Sequence, residues 1–221
     1  MRPDDLTNVL DPSTSQLALM RATERLVARY GLVGASSRAI VREAGHRNNS
    51  AVTYHFGSRQ VMLDALYHWR SKPINDHRAR MVAELVAGGR ERDPEALARA
   101  YVVPFVTAVG GMRPSAWARY TQAVLQHRPL VFMEWVRRDV KRYEGIEVPV
   151  AHTLDLLDMM RAVACDGVEP LAGLRVAMAS RAVVATMAAW EEDDERGDLD
   201  APPLGVVSDQ MVRAMVGALT A

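Results

Sequence analysis

Apolar residues recur at the spacing of an α-helix along almost the whole chain of 221 residues. Residues three or four positions apart lie on one face of a helix, so this spacing gives each helix an apolar face. In the predicted first helix that face consists of Leu17, Met20, Ala22, Leu26 and Val27. No clean run of alternating apolar and polar residues, which a half-buried strand requires, lies between turn signals. The sequence therefore predicts an all-α fold.

Glycine, proline and capping residues divide this pattern into separate helices. The first three, of which the second and third are short, are predicted over 15–30, 37–44 and about 49–56. Ser36 is the candidate N-cap of the second, and Ser58 of a fourth. We expect this fourth helix to end or bend at Pro73, before a continuation through Met81, Val82 and Leu85. Asp93, followed by a proline, opens a fifth. Further helices are predicted over 114–127, 130–143, 150–165, 171–194 and 208–219.

Several functional classes find no support in the sequence. The single cysteine, Cys165, excludes an internal disulfide and a thiolate metal cage, which fits a reducing compartment. No segment approaches the roughly 20 uninterrupted apolar residues of a membrane span, and residues 1–14 do not resemble a signal peptide. The histidines lack zinc-ligand spacing, and neither a glycine-rich phosphate loop nor a serine elbow occurs. We therefore expect a cytoplasmic protein that is not an enzyme and uses no metal or cofactor.

The formal net charge of zero conceals an uneven distribution. Residues 17–72 contain nine basic and three acidic residues, whereas residues 73–221 contain 17 basic and 21 acidic ones. A basic segment is the electrostatic signature expected of a nucleic-acid-binding domain. The acidic run at 191–195 is interpreted as a helix end that continues into a solvated loop.

The two short helices have the arrangement of a helix-turn-helix, with a connection of about four residues and a small, polar second helix. An arginine fork and asparagine amides are the commonest bidentate readers of guanine and adenine, so this helix is a candidate recognition helix. The candidate readers are Arg47, Asn48, Asn49, Ser50 and Thr53. Ala51, Val52 and Phe56 are expected to face the other way. The candidate phosphate contacts are Ser36, Ser37, Arg38, Tyr54 and His55.

An alternative without DNA binding fits the same residues. In it, Asn48 and Asn49 form a turn and a helix cap, and Arg47 is only solvated. Tyr54, His55 and Phe56 then pack in the core of the three small helices. The positive charge of the segment favours the DNA-binding interpretation.

The segment from Leu19 to Gly31, then 36–45, then Thr53-Tyr54-His55-Phe56-Gly57-Ser58-Arg59, resembles the DNA-binding domain of TetR-type transcriptional regulators. The resemblance implies that Tyr54 and His55 lie near phosphates at the end of the recognition helix. It also implies a phosphate contact for Arg59, which stands where the family usually has lysine. The stretch from Gly45 to His55 is one residue longer than the commonest family spacing, so individual bases are not assigned.

The resemblance implies an N-terminal arm (1–14), a helix-turn-helix DNA-binding domain (15–67) and a helical effector-binding and dimerisation domain (68–221). The protein is then expected to be a repressor that binds a near-palindromic operator in double-stranded DNA as a homodimer. A small, mostly apolar effector is expected to release it. The operator follows from the two-fold symmetry of a dimer with two heads.

The C-terminal part offers candidates for both expected contacts. Small and flexible apolar residues of the last two long helices suit a dimer interface. These residues are Ala177, Met178, Ala179, Ala182, Val183, Met187, Met211, Val212, Met215 and Val216. Candidate effector contacts are Tyr101, Trp117, Tyr120, Phe132, Trp135, His152 and Met159. Both sets also fit an ordinary intrachain core. The alternative function is a helical small-molecule-binding or protein-interaction module that does not bind DNA specifically.

Overall fold

The computed structural model describes residues 11–132, 137, 151–165, 169–197 and 201–221, and within these ranges the regular structure is entirely helical, as predicted. Most of the helix predicted over 130–143 and most of the N-terminal arm lie outside the described residues. The helices are α1 (Thr14–Gly34), α2 (Ser37–Glu43), α3 (Ala51–Phe56), α4 (Arg59–Ala87), α5 (Pro94–Gly110), α6 (Trp117–Leu125), α7 (Ala151–Ala164), α8 (Glu169–Arg196) and α9 (Leu204–Thr220).

Side-chain caps begin several of these helices. The hydroxyls of Ser36 and Ser58 accept hydrogen bonds from backbone N–H groups in the first turns of α2 and α4. The carboxylate of Asp93 does the same for α5. At the start of α1, Ser13 and Gln16 form a reciprocal capping box. The caps predicted at Ser36, Ser58 and Asp93 are therefore confirmed.

Two predicted helix ends differ in the structure. Gly31 leaves helical geometry with φ of 71°, but the chain resumes for one more turn to Gly34. Pro73 does not end α4, which continues to Ala87. Apolar residues are buried on both sides of this proline, including Leu66 and Leu85, so burial holds the helix through the position where proline removes a backbone donor.

The N-terminal head consists of α1, α2, α3 and the start of α4. Ala51, Val52 and Phe56 of α3 face inward, as predicted, and are buried with Leu19 and Ile40. Because α3 is too short to be stable alone, its position depends on this packing against α1 and α4. The buried side of α3 leaves its opposite side facing solvent.

The body contains the rest of α4 together with α5–α9, and α8 packs against α6, α7 and α9. Most residues predicted for a dimer interface are instead buried inside the chain. These are Ala177, Ala179, Val183 and Met187 of α8, and Met211, Val212 and Met215 of α9. The intrachain-core interpretation is therefore correct for them. Met178 and Ala182 remain exposed.

Among the described helices, α8 is long and apolar enough over Pro170–Arg196 to cross a membrane. The mean hydropathy of its most apolar 18-residue window is 1.3. Inside the protein, 56% of that window is buried. A mostly buried core helix meets the same criteria of length and hydropathy, so this observation is only weak support for a membrane span.

A buried ion pair joins the head to the body. Glu24 of α1 and Arg70 of α4 are 6% and 4% exposed, and the Arg70 Nε lies 3.1 Å from the Glu24 Oε2. Glu24 also accepts a hydrogen bond from the backbone N–H of Ala116 at 3.2 Å, and Arg70 donates to the hydroxyl of Ser115 at 3.1 Å. Burial raises the pKa of Glu24 and lowers that of Arg70, while the opposite charge of each partner resists the shift.

A second carboxylate reaches the same helix end from α8. Glu191 is 2% exposed and accepts hydrogen bonds from the backbone N–H groups of Ala118 at 3.3 Å and Arg119 at 3.0 Å. The acidic run lies at the end of α8, as predicted, but its first residue is buried rather than solvated, because the unpaired N–H groups at the start of α6 bind the Glu191 carboxylate. The amino end of α6 thus contacts both α1 and α8.

We expect Arg70→Met to lower the free energy of unfolding by about 3–5 kcal/mol, because it leaves the Glu24 carboxylate buried without its counter-ion. Chemical denaturation followed by circular dichroism measures the loss. Arg25→Met is the matched control, since it breaks the exposed pair with Glu43 and should cost less than about 1 kcal/mol. Equal losses in the two variants would contradict the importance of the buried pair.

Candidate nucleic-acid interface

The connection between α2 and α3 runs from Ala44 to Ser50, longer than the predicted turn. Gly45 begins it with φ of 75°, a left-handed conformation that glycine adopts without strain. Asn48 shapes its end, because its side-chain oxygen accepts a hydrogen bond from the N–H of Ser50 at 2.9 Å. The turn-forming interpretation therefore holds for Asn48, whose side chain closes the last part of the turn before α3.

The predicted readers next to this turn face solvent. Arg47, Asn49, Ser50 and Thr53 are all exposed. Among the described residues, the side chains of Arg47, Asn49 and Thr53 have no hydrogen-bond partner, so their donors and acceptors are available to a ligand. The structure brings them together at the amino end and outer side of α3.

The motif Tyr54-His55-Phe56 is divided between surface and core. Tyr54 is 83% exposed and its ring meets that of His55 edge-on, with centroids 4.9 Å apart. His55 is half-buried, and its backbone carbonyl accepts a hydrogen bond from the side chain of Gln16 at 3.3 Å. Phe56 is buried. The core interpretation is therefore correct for Phe56 and wrong for Tyr54, whose side chain is exposed.

The three residues at the start of α2 that are predicted to contact phosphate differ in whether their polar groups are free to do so. The hydroxyl of Ser36 caps the helix by accepting from the N–H of Ala39 at 3.3 Å, and Ser37 is half-buried. Arg38 is exposed, and no described residue pairs with its guanidinium. Arg38 is therefore the best-placed of the three for a phosphate contact.

Arg59 does not extend into solvent. Its Nε donates to the carbonyl of Ala35 at 3.0 Å, and its Nη2 donates to the carbonyl of Leu32. These carbonyls lie at the end of α1, where no helical N–H follows to pair with them. The phosphate contact implied for Arg59 by the family resemblance therefore competes with a structural contact that ties α4 to α1.

The predicted effector residues do not converge on one described site. Trp117 and Tyr120 are each 2% exposed and stack with centroids 5.1 Å apart, which supports the core interpretation for both. Burial raises the pKa of Tyr120. Phe132 is buried beneath the guanidinium of Arg181, 5.8 Å from its centroid. Trp135 lies outside the described residues.

The remaining effector candidates lie on α5 and α7. Tyr101 is half-buried, with the guanidinium of Arg78 5.3 Å from its ring centroid. Met159 is partly buried against the core. His152 is exposed, 4.0 Å from the carboxylate of Asp155. Tyr101 therefore lies beside a buried charged group.

A cleft of about 730 Å³ lies where α1 meets the α5–α6 connection and the end of α8. Its lining is mostly charged rather than apolar, and includes Arg21, Arg25, Arg29, Arg113, Arg119, Arg196, Glu24, Glu43, Glu192 and Glu195. The cleft is not apparent in the sequence, because its walls come from segments far apart in the chain.

No protein-family model matches this sequence, and no curated protein matches it. The resemblance to TetR-type regulators therefore depends on the motif residues of the head, and the site must be judged by its own geometry.

We expect Arg59→Met to lower the free energy of unfolding by about 1–3 kcal/mol, because the carbonyls of Leu32 and Ala35 lose a charged donor. Urea denaturation measures the change. Arg38→Met, which removes an exposed guanidinium from the same head, should change stability by less than about 0.5 kcal/mol. A neutral result for Arg59→Met would show that its contacts with α1 are dispensable.

Proposed function

We propose that the protein is a TetR-type transcriptional regulator, acting as a repressor, that binds double-stranded DNA in a sequence-specific manner. The observation that carries this proposal is the outer side of α3, where Arg47, Asn49 and Thr53 are exposed and unpaired among the described residues. A recognition helix must pack against its domain through an apolar side while its polar side enters the major groove of DNA, and α3 has these two sides. In the motif Tyr54-His55-Phe56, Phe56 is buried and His55 half-buried, whereas Tyr54 is exposed.

Electrostatics support the same proposal. Arg38, Arg42 and Arg47 are exposed around α2 and α3, so part of the positive charge of residues 17–72 lies beside the candidate readers. Phosphate contacts from Arg38 and Tyr54 would fix the orientation of the head, while Arg47 and Asn49 would contact base edges. Asn48 contributes by shaping the turn.

We also propose that the protein binds a near-palindromic operator as a homodimer. One head with a six-residue α3 buries too little surface for specific recognition, whereas two heads on one operator double the contact. The outer face of α8 supplies a suitable interface, because it exposes an apolar stripe of small residues and two large ones. This stripe consists of Leu171, Met178, Ala182, Ala185 and Ala189.

We expect Met178→Glu to convert a dimer into a monomer, because it places a charge in the middle of an apolar helix pair. Light scattering coupled to size-exclusion chromatography measures the mass. Val86→Glu, which changes another exposed apolar residue at the end of α4, should leave the mass unchanged. A monomeric parent protein at working concentration would contradict the dimer.

DNA binding is tested by fluorescence anisotropy against the DNA that flanks the gene and against a selected oligonucleotide pool. We expect affinity that falls steeply with salt, because binding releases counterions from phosphates. Asn49→Ala should relax sequence preference at a cost of about 1–3 kcal/mol, whereas Arg38→Ala should weaken binding to all sequences alike. Arg92→Ala, an exposed arginine of the body, is the control and should bind as the parent does.

Two results would overturn the proposal. If neither the flanking DNA nor the pool is retained, the protein is better described as a helical small-molecule-binding or interaction module. If Asn49→Ala and Arg38→Ala exchange their effects, the assignment of reading and phosphate roles is wrong.

A further inference from the structure

The charged cleft where α1 meets the α5–α6 connection and the end of α8 lies between head and body. Its volume of about 730 Å³ falls within the range of sites for small organic ligands. One wall comes from α1 and the last residue of α2, and the other from the α5–α6 connection, Arg119 and the end of α8. α3 contributes none of the described lining residues, so the cleft is separate from the candidate nucleic-acid interface.

Positive charge exceeds negative charge in the described lining, which contains six arginines and four glutamates. Each of these glutamates already has an arginine at ion-pair distance. The pairs are Glu24 with Arg70, Glu43 with Arg25, Glu192 with Arg196, and Glu195 with Arg119. Arg113 pairs with Asp194, 3.1 Å away. The excess of positive charge therefore rests on the two remaining arginines, Arg21 and Arg29.

Arg21 and Arg29 are exposed on α1, and neither forms a hydrogen bond or an ion pair with any described residue. Arg21 lies close enough to Glu24 to act on its charge, but that carboxylate is already paired. Arg25 lies between the two arginines, and its pair with Glu43 is exposed on both sides, at 52% and 41%. An exposed pair of this kind is weak and exchanges readily for a more highly charged ligand.

The spacing of these three arginines favours an extended anion. Residues four apart lie on one face of a helix, and each step of four advances about 6 Å along its axis. Arg21, Arg25 and Arg29 therefore form a line of guanidinium groups along the cleft wall. A chain of phosphoryl groups contacts several of them at once, whereas a single carboxylate does not.

The amino end of α6 also lies at this cleft, through Ser115 and Ala116. A helix amino end binds anions only where its N–H groups are free. Here the N–H groups of Ala116 and Arg119 already bind the carboxylates of Glu24 and Glu191. Anion binding in the cleft therefore depends on the arginines of α1.

Tyr30 and Met112 supply an apolar contact surface on the two walls of the cleft, and are 57% and 38% exposed. The guanidinium of Arg29 lies 5.4 Å from the centroid of the Tyr30 ring. An exposed aromatic ring beside an arginine is a typical stacking partner for a nucleobase. The cleft thus combines groups that bind phosphate with a surface that binds a flat ring.

We propose that this cleft binds a nucleoside di- or triphosphate. The phosphate chain lies along Arg21, Arg25 and Arg29, and the base stacks on Tyr30. Binding releases Arg25 from Glu43, because phosphate accepts stronger, charge-assisted hydrogen bonds from a guanidinium. This assignment does not depend on the proposed function.

Titration calorimetry with the full-length protein tests the site, with ATP, ADP, adenosine and inorganic tripolyphosphate as probes. We expect ATP to bind more tightly than ADP, because its longer phosphate chain contacts more of the arginines. Adenosine, which lacks phosphate, should give no measurable binding. Tripolyphosphate should bind more weakly than ATP, because it has no base to stack. Binding of ATP should weaken as the salt concentration rises.

Variants of the charged groups should move ATP affinity in opposite directions. Arg21→Gln and Arg29→Gln should each weaken ATP binding by about fivefold to tenfold, between the effect of an exposed ion pair and that of a hydrogen bond to a charged group. Glu43→Gln should strengthen it by about twofold to fivefold, because Arg25 then has no competing partner. Arg92→Gln, at an exposed arginine of the body, is the matched control and should bind as the parent does.

Tyr30→Ala tests the stacking contact separately. It should weaken ATP binding by about fivefold or more and leave tripolyphosphate binding unchanged, because only ATP carries a base. Tyr30→Phe, which keeps the aromatic ring, should bind ATP as the parent does.

The site is overturned if neither ATP nor tripolyphosphate binds at millimolar concentration, or if Arg21→Gln, Arg29→Gln and Arg92→Gln have equal effects. Tripolyphosphate that binds as tightly as ATP would replace the nucleotide by an inorganic polyanion. Displacement of bound ATP by a short DNA duplex would assign these arginines to a nucleic-acid surface and overturn a separate site. ATP binding without any DNA binding retains the cleft site and removes the proposed function.

Discussion

The buried pair of Glu24 and Arg70 is the contact on which the relation of head and body depends. It joins α1 to α4, and through the N–H of Ala116 it also fixes the start of α6. Taking two charges out of water is costly, so such a pair persists only where additional hydrogen bonds satisfy it. Ser115 supplies one of these bonds, and the body is thereby held against α1 of the head.

The same helix α4 holds arginines in different electrostatic situations. Arg59 is fastened to carbonyls at the end of α1, Arg70 has a carboxylate partner, and Arg78 has only neutral ones. A buried arginine is stable in its charged form only when its surroundings supply compensating charge or dipoles. Arg70 and Arg78 thus differ in that the first has a carboxylate within ion-pair distance, whereas the described hydrogen-bond partners of the second are all neutral groups.

Contacts between residues close together in the sequence could be predicted from it, whereas contacts between distant residues could not. The caps Ser36, Ser58 and Asp93 depend on atoms two or three residues away, and the inward side of α3 follows from spacing alone. The partners of Arg59 and Glu191 lie far along the chain, so the sequence showed neither contact. At Pro73 the sequence left an end and a bend both open, and buried neighbours on either side of the proline decided for one continuous helix. The solvent-facing part of the candidate site could be predicted, because an exposed side chain is not bound to residues from distant parts of the chain.

The amino end of α6 has a consequence for how docking of the head can be observed. The amide hydrogens of Ala116, Ala118 and Arg119 are bonded to carboxylates from α1 and α8 rather than to α6 itself. Their isotope exchange with solvent is therefore governed by separation of neighbouring helices, not by fraying of α6. The exchange rate of the Ala116 amide therefore measures the contact with the head, whereas the rates of Ala118 and Arg119 measure the contact with α8.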